Sequence, residues 1–152
     1  MSAWRIGIVG AEASKFTKKG EEAAKLVIRK LLERAVCIDL TTVVSGECPK
    51  GGVDIWARDI GLELLCGYEP HKPYANNWEA YKERNTRIAE RSDEIYVITP
   101  RTLPNGEKLF CYHCRTDAHV RNGGCWTAHA WNRIHSPKTS VQTMTWHVVE
   151  NL

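Results

Sequence analysis

The segment TTVVSGECPKGGVD at residues 41–54 decides the fold. Its first five residues are rich in β-branched side chains, which are typical of a strand, and the next seven contain three glycines. Apolar residues then recur at intervals of three and four, which predicts a helix over residues 52–65; they are Val53, Trp56, Ala57, Ile60 and Leu64. A buried strand that leads through a glycine-containing turn into a helix is the repeating unit of an α/β protein.

The same alternation of strand and helix extends to both ends of the chain. An apolar run at residues 4–11 predicts a central first strand, and helical spacing over residues 18–34 predicts the helix after it. A third helix at 78–91, a strand at 94–99, a last helix at 125–134 and a closing strand at 144–149 complete the pattern. Residues 66–77 contain a glycine and two prolines and predict a long loop with at most a short irregular strand.

This alternation predicts the fold class. Right-handed crossovers between successive strands give an α/β fold, a Rossmann-like three-layer sandwich around a mainly parallel central sheet. The length of 152 residues fits a single domain over residues 1–152, with a Cys/His-rich loop at about 108–125. In such sheets ligands bind at the carboxyl ends of the strands, where the strand order reverses.

Composition limits the classes of function. The chain is 43% apolar, and no apolar run approaches the roughly 20 residues of a membrane span, so we expect no membrane partner and a cytoplasmic location without an export signal. A formal charge of +3 is too small to indicate nucleic-acid binding, although it permits an anionic ligand. The six cysteines of such a chain are expected to be reduced thiols or metal ligands rather than disulfides.

Two glycine-containing turns, at residues 45–54 and 123–127, each precede a predicted helix. A helix start offers unpaired N–H groups and the positive end of the helix dipole, and glycine lets a phosphate approach them. Two such turns in one small domain indicate a nucleotide-type ligand. The alternative for each turn is a plain connection in which glycine supplies only backbone freedom or close packing.

The order and spacing of these short motifs resemble the SLOG superfamily, which includes the cytokinin-activating LOG phosphoribohydrolases and the DNA-processing Smf proteins. The resemblance covers residues 5–149 and is carried by IVG at 8–10, VVSG at 43–46, GGVD at 51–54, YKERN at 81–85, SD at 92–93 and GG with Thr127 at 123–127. It implies a bound nucleotide or nucleotide derivative and the homo-oligomers that are common in the family. By position it implies these ligand-binding residues: Gly10, Ala11, Ser45, Gly46, Gly51, Gly52, Asp54, Gly123, Gly124 and Thr127.

Two departures from the family pattern weaken a hydrolase assignment. The LOG enzymes carry a catalytic glutamate shortly after the threonine of the second turn, and the corresponding residue here is Ala130. Ala11 and Glu12 stand where small relatives often carry a Ser-Arg pair. The resemblance therefore supports ligand binding more than turnover.

Arg84 and Asn85 lie in the third predicted helix, where a solvated surface pair is the ordinary explanation. Asn85 shares a face with Trp78, Tyr81 and Ile88, so its side chain is predicted to point inward. Arg84, one residue away, could meet a phosphate as a charge-assisted donor. Both are therefore candidate ligand-binding residues.

The Cys/His-rich loop predicts a metal site. Cys111, Cys114, His119 and Cys125 form a Cys-x2-Cys-x4-His-x5-Cys pattern, and three thiolates with one imidazole suit a tetrahedral structural zinc ion. His113 or His129 could replace one ligand. The alternative is a loop of reduced, partly buried cysteines and exposed histidines.

Two further hypotheses concern residues near the second turn. Cys125, at a helix start that lowers a thiol pKa, could act as a nucleophile with His129 as its base. Most of the six tryptophans are expected in the core, whereas Trp126 could stack on a base.

The sequence thus predicts binding of a nucleotide or nucleotide-derived small molecule through the two turns, with zinc in the loop. The first alternative is a nucleotide N-glycosidase or phosphoribohydrolase-like hydrolase or transferase, with Glu12, Asp54, Glu79 or Asp93 as its carboxylate. The second is a zinc-containing nucleic-acid-binding module, which the small charge disfavours. The residues do not identify the base, the number of phosphates or a catalytic group.

Overall fold

The computed structural model describes residues 3–135 and 144–152. Its strands and helices alternate along the chain, except for a short 3-10 helix at Ala13–Lys15. The strands are β1 (Trp4–Gly10), β2 (Thr41–Ser45), β3 (Gly67–Pro70), β4 (Glu94–Pro100) and β5 (Met144–Val149). The helices are α1 (Lys18–Ile38), α2 (Val53–Glu63), α3 (Trp78–Arg91) and α4 (Gly123–His135).

The described strands form one five-stranded parallel sheet in the order β3-β2-β1-β4-β5. This confirms the predicted α/β, Rossmann-like three-layer sandwich. Along the chain the sheet grows from β1 to β3 on one side and then from β4 to β5 on the other, so the order reverses between β1 and β4. The carboxyl ends of these two strands are therefore the expected ligand position.

Alternating side chains of the strands face the two helical layers. Ile6 and Ile8 of β1 belong to a core with α1 and α2, whereas Val9 of the same strand packs with residues of α3 and α4. The parallel strands are covered on both faces, which is why their sequences are nearly continuous apolar runs.

Within residues 66–77, predicted as a long loop with room for a short irregular strand, the structure has one short regular strand. Gly67–Pro70 forms β3, which pairs with β2 from Thr42↔Gly67 to Ser45↔Pro70. Four residues that include a glycine and a proline have no period-2 apolar pattern, and the strand is partly exposed at the sheet edge. Two helix bounds also differ from the prediction: α1 continues to Ile38, and α4 begins at Gly123 instead of Cys125.

Side chains and backbone groups cap three helix starts. Thr17 accepts a hydrogen bond from the Gly20 amide before α1, and Asn77 accepts one from the Ala80 amide before α3. At α2 the Val53 amide donates to the carbonyl of Ala11 at 3.2 Å. Within the described ranges, no helix is both long enough and apolar enough to cross a membrane.

Candidate functional site

A pocket of about 250 Å³ lies at the carboxyl ends of the strands, where the strand order reverses. We call it the central pocket. Its walls come from the end of β1 and the segment after it, from the turn before α2, from α3 and from the start of α4. The lining residues are Val9, Gly10, Glu12, Lys15, Cys48, Asp54, Arg84, Asn85, Ile88, Asn122, Gly123, Gly124 and Thr127.

The start of α4 forms one wall of the central pocket. A Cβ atom on Gly124 would lie 2.6 Å from the Gly10 backbone nitrogen, so only glycine lets the helix approach the end of β1 this closely. A Cβ atom on Gly123 would meet nothing within 4 Å. The helix start leaves the amides of these two glycines without intrahelical acceptors, and Asn122 Oδ1 accepts from the Cys125 amide at 3.2 Å. The pocket wall therefore carries backbone donors and the positive end of a helix dipole.

Arg84 and Asn85 of α3 form another wall, and each side chain is only 7% exposed. Arg84 donates through Nε to Asn85 Oδ1 at 2.8 Å and through Nη1 to the carbonyl of Gly46. Because Asn85 Oδ1 already accepts from Arg84, its NH₂ group is the part that remains for a ligand. The prediction that Asn85 points inward is confirmed, and Arg84 is buried too.

Asp54, in the first turn of α2, lies on the pocket wall beside this arginine. Desolvation raises the pKa of its carboxyl to about 6, although the Arg84 charge and the Cys48 backbone amide pull the pKa downward. A carboxyl group with such a pKa can hold or release a proton near neutral pH. Asp54 is therefore the described pocket residue best suited to move a proton.

Lys15 brings a cation to the pocket mouth from the 3-10 helix after β1. Its Nζ donates to the carbonyl of Arg121 at 2.8 Å, and desolvation lowers its pKa. Asn151, near the carboxyl end of the chain, donates to the Lys15 carbonyl at 2.8 Å and accepts from the Thr17 amide at 2.9 Å. A residue remote in sequence thus fixes the segment that positions this lysine.

The structure brings seven of the twelve predicted ligand-binding residues together in the lining of the central pocket: Gly10, Asp54, Arg84, Asn85, Gly123, Gly124 and Thr127. The other five lie outside that lining: Ala11, Ser45, Gly46, Gly51 and Gly52. The second glycine-containing turn therefore faces the pocket directly. The first turn contributes Cys48 and Asp54.

Contacts within the protein explain the residue types at three positions of the first glycine-containing turn: Ser45, Gly46 and Gly52. The Ser45 hydroxyl donates to the Asp54 carbonyl at 3.0 Å. A Cβ atom on Gly46 would lie 2.7 Å from Arg84 Nη1 and 3.0 Å from Asp54 Oδ2, so this glycine leaves room for both side chains. Gly52 has a φ of 94°, and a Cβ atom on it would lie 2.5 Å from the Ala11 carbonyl oxygen.

The four predicted metal-binding residues are brought together beside the pocket. One ligand atom from each of Cys111, Cys114, His119 and Cys125 lies within 4.8 Å of every other, so the cluster could hold a metal ion such as zinc. Cys111 and Thr116 form an antiparallel bridge that closes the turn with both cysteines of the Cys-x2-Cys pair. Cys125 lies in the first turn of α4, which links the cluster directly to the pocket wall.

Hydrogen-bond partners around the cluster orient its donors. His119 Nδ1 lies 3.2 Å from the Val120 carbonyl oxygen, a contact that leaves Nε2 for a metal. Trp146 Nε1 lies 3.4 Å and Asn122 Nδ2 3.6 Å from the Cys125 sulfur. Burial raises the pKa of Cys125 and raises that of Cys114 to about 11, so the bare thiols are neutral and a cation is needed to stabilise their thiolates.

The nucleophile hypothesis for Cys125 is wrong, because its side chain is fully buried and its thiol pKa is raised by desolvation. His129 contacts Cys114 instead, with Nε2 3.3 Å from the sulfur. Four of the six tryptophans belong to the core or pack against it, as expected: Trp56, Trp126, Trp131 and Trp146. Only Trp56 and Trp131 of the six are buried, while Trp126 makes an edge contact with Trp78 at 5.9 Å between ring centroids.

Lys15 and Asn122 are among the lining residues of the central pocket that are missing from the sequence-based set of candidate ligand-binding residues. Lys15 follows the first strand by a few residues, and a basic residue at that place is the sequence feature that could have identified it. Asn122 directly precedes the second glycine pair, in the position of a helix cap. Neither pattern is specific without the fold, because surface lysines and capping asparagines are common.

The chain matches no protein-family model and no curated protein. The resemblance to the SLOG superfamily therefore rests on the motifs alone.

Proposed function

We propose that the central pocket binds a nucleotide or nucleotide-derived small molecule, with its phosphate at the start of α4. One observation carries the proposal: the open amino terminus of α4 shares a pocket with two buried polar side chains, Arg84 and Asn85. The helix start supplies backbone N–H groups and a positive dipole end. The buried pair supplies an always-charged guanidinium and an amide donor.

The position of the pocket agrees with this proposal. Parallel sheets of this topology bind ligands where the strand order reverses, and the pocket lies at the carboxyl end of β1, one of the two strands at that position. Lys15 adds a second cation at the mouth. The two acidic residues in the lining lie close to cations of the protein: Glu12 Oε2 lies 3.7 Å from Lys50 Nζ, and Asp54 lies beside Arg84, whose charge favours the ionised carboxylate.

A ligand screen tests the proposal. Protein of measured metal content is mixed with nucleotides and with cyclic or ADP-ribosyl derivatives, and the thermal unfolding midpoint is recorded, since a ligand of the native state raises it. Lys15→Gln should reduce the shift produced by an active compound. Lys18→Gln removes the same charge from an exposed position at the start of α1 and serves as the matched control. Absence of a shift with every anionic nucleotide would refute the proposal.

The Cys/His cluster is proposed to hold a structural zinc ion. Three sulfurs and one imidazole fill a tetrahedral zinc site and leave no open position for a substrate. The ion would connect the loop at 111–119 to Cys125 in α4. In this role zinc fixes the helix start that faces the ligand, and it takes no part in chemistry.

A second candidate function is hydrolysis of the N-glycosidic bond of the bound nucleotide, and Asp54 is the observation that favours it. Of the four carboxylates considered, Glu12 and Asp54 line the pocket, whereas Asp93 contacts Arg5 at the amino end of the sheet and Glu79 is exposed. Ala130, which by the resemblance stands where the LOG enzymes carry their catalytic glutamate, is buried in α4 and supplies no carboxylate. Water would add across the bond to give ribose 5-phosphate and free base. Chromatography of those products, with Asp54→Asn as the inactive variant, tests this candidate.

We further propose a reducing, cytoplasmic setting, a small-molecule partner and a homo-oligomer. All six cysteines are free in the structure, which fits reduced thiols and a metal cluster. The concave pocket suits a small ligand better than a nucleic-acid strand, and the charge of +3 gives little long-range attraction to one. The oligomer rests on the family resemblance. Light scattering of the purified protein measures it.

A further inference from the structure

A second pocket of about 420 Å³ adjoins the central pocket, because Lys15, Asn122 and Gly123 line both. We call it the aromatic pocket. Its other lining residues are Trp78, Tyr112, His113 and Arg121. The shared residues lie at the junction, so one ligand can extend from the start of α4 into both spaces.

The chemistry of the aromatic pocket differs from that of the central pocket. Trp78 is 50% exposed and Tyr112 is 60% exposed, so much of both aromatic residues is open to water on a concave surface. The Arg121 guanidinium lies 4.8 Å from the centroid of the Tyr112 ring. Among the described lining residues there is no carboxylate. Ring faces and cations without acids suit a flat, electron-rich heteroaromatic ring.

We propose that the aromatic pocket is the subsite for the base of the nucleotide whose phosphate lies in the central pocket. This inference rests on the proposed function and adds the order of the ligand along the site. The base stacks against Tyr112, the sugar crosses the junction at Lys15 and Asn122, and the phosphate reaches the start of α4. A nucleoside phosphate has its three parts in that order.

The metal-binding loop builds this subsite. Tyr112 and His113 are the two residues between Cys111 and Cys114, and their rings lie 4.5 Å apart. Arg121 follows His119 by two residues, and its carbonyl accepts from Lys15. The cluster therefore positions the residues that would contact the base. Through Cys125 it also fixes the start of α4, which would contact the phosphate.

Calorimetric titration of the metal-loaded protein tests the subsite. The probes are the four common ribonucleoside 5′-monophosphates and ribose 5-phosphate, which lacks only the base. Tyr112→Ala removes one ring of the pocket. Phe110→Ala is the matched control, because Phe110 is an equally exposed aromatic residue of the same loop that does not line the pocket. Metal content is measured for each variant, so that a lost cluster is recognised.

At least one nucleotide should bind the wild-type protein about 5- to 100-fold more tightly than ribose 5-phosphate, which corresponds to stacking of one base. Tyr112→Ala should weaken binding of that nucleotide about fivefold or more, leave the affinity for ribose 5-phosphate unchanged and retain the metal. Phe110→Ala should change neither affinity. Equal affinities for the nucleotides and ribose 5-phosphate, or identical results for the two variants, would overturn the base subsite and leave the proposed function standing. Failure of every probe to bind would overturn both.

Discussion

Arg84 donates a hydrogen bond through Nε to Oδ1 of Asn85, the next residue of α3, at 2.8 Å, and both side chains are buried. Consecutive helix residues ordinarily point in different directions. Here the long arginine side chain also reaches the carbonyl of Gly46 at the end of β2. The pair therefore joins α3 to the carboxyl end of the sheet and brings a cation into the central pocket.

Removal of this guanidinium should affect both stability and binding. Arg84→Gln should lower the free energy of unfolding by about 1–3 kcal/mol, because the Gly46 carbonyl and Asn85 lose a charged donor. It should also weaken nucleotide binding about 10-fold or more. Urea denaturation and calorimetric titration measure the two effects.

Arg91→Gln is the control for this variant. Arg91 lies at the other end of α3, is exposed and pairs with Glu69 at 2.9 Å. Solvent screens this exposed pair, so its loss should leave the fold intact, and the control should bind nucleotide like the wild-type protein. Equal binding by both variants would show that Arg84 does not contact the ligand.

The two glycines at the start of α4 should respond differently to an added methyl group. Gly124→Ala should cost about 1–3 kcal/mol of unfolding free energy, since its Cβ atom would press on the Gly10 backbone. Gly123→Ala should change stability by less than about 0.5 kcal/mol or increase it slightly, because nothing lies within 4 Å of the new atom. Chemical denaturation of the pair tests the packing, and an equal loss in both would contradict it.

Asp54 should give stability a pH dependence of a defined sign. Its folded-state pKa of about 6 exceeds the ordinary value of 3.8, so the folded protein holds a proton that the unfolded chain has released. Stability from this group should therefore fall as pH rises from about 4 to 6, by up to about 3 kcal/mol. Comparison with Asp54→Asn, which should lack this decrease, subtracts the pH dependence that other groups contribute.

The measurement is the difference in unfolding free energy between the wild-type protein and Asp54→Asn across pH 4–7. Asp59→Asn, an exposed change on the same helix, controls for the lost charge. The unfolding free energy of the wild-type protein minus that of Asp54→Asn should fall as pH rises. A value that stays constant, or that rises with pH, would show that the pKa of Asp54 is not raised.

Removal of one cluster cysteine should release the metal. Wild-type protein should contain about one zinc ion per chain, and Cys114→Ser should lose it with about 3 kcal/mol of stability, or roughly 6–12 °C in Tm. Cys37→Ser, an exposed change in α1, should retain both. Elemental analysis and thermal denaturation provide the readouts. Wild-type protein that binds no zinc when the ion is supplied, and that has the same Tm with and without it, would rule out a structural zinc ion.

Much of the fold could be predicted because its causes are local. Continuous apolar strands and helices with apolar spacing of three and four carry their own periodicity, as β1 and α2 show. β3 could not be predicted, since its four residues gain strand geometry from pairing with β2. Its hydrogen-bond partners lie more than twenty residues earlier in the chain.

The candidate site was predictable where its residues are adjacent in sequence. The Cys/His spacing predicted the metal cluster, and the Gly123–Gly124 pair predicted the pocket wall. Lys15 and Asn122 were missed because their roles depend on distant partners. Lys15 is fixed by Asn151 and Arg121, and no local pattern encodes those contacts.

By itself the sequence determined the parallel α/β architecture, a helix at the second glycine turn and the set of cysteine and histidine side chains that could hold a metal ion. These follow from side-chain periodicity, backbone freedom and donor chemistry over short stretches of chain. Only the tertiary structure decided which turn faces the central pocket. It placed Gly52 against the backbone of Ala11 and left Gly123 open to the pocket, because close packing occupies the space around the first turn but not that around the second.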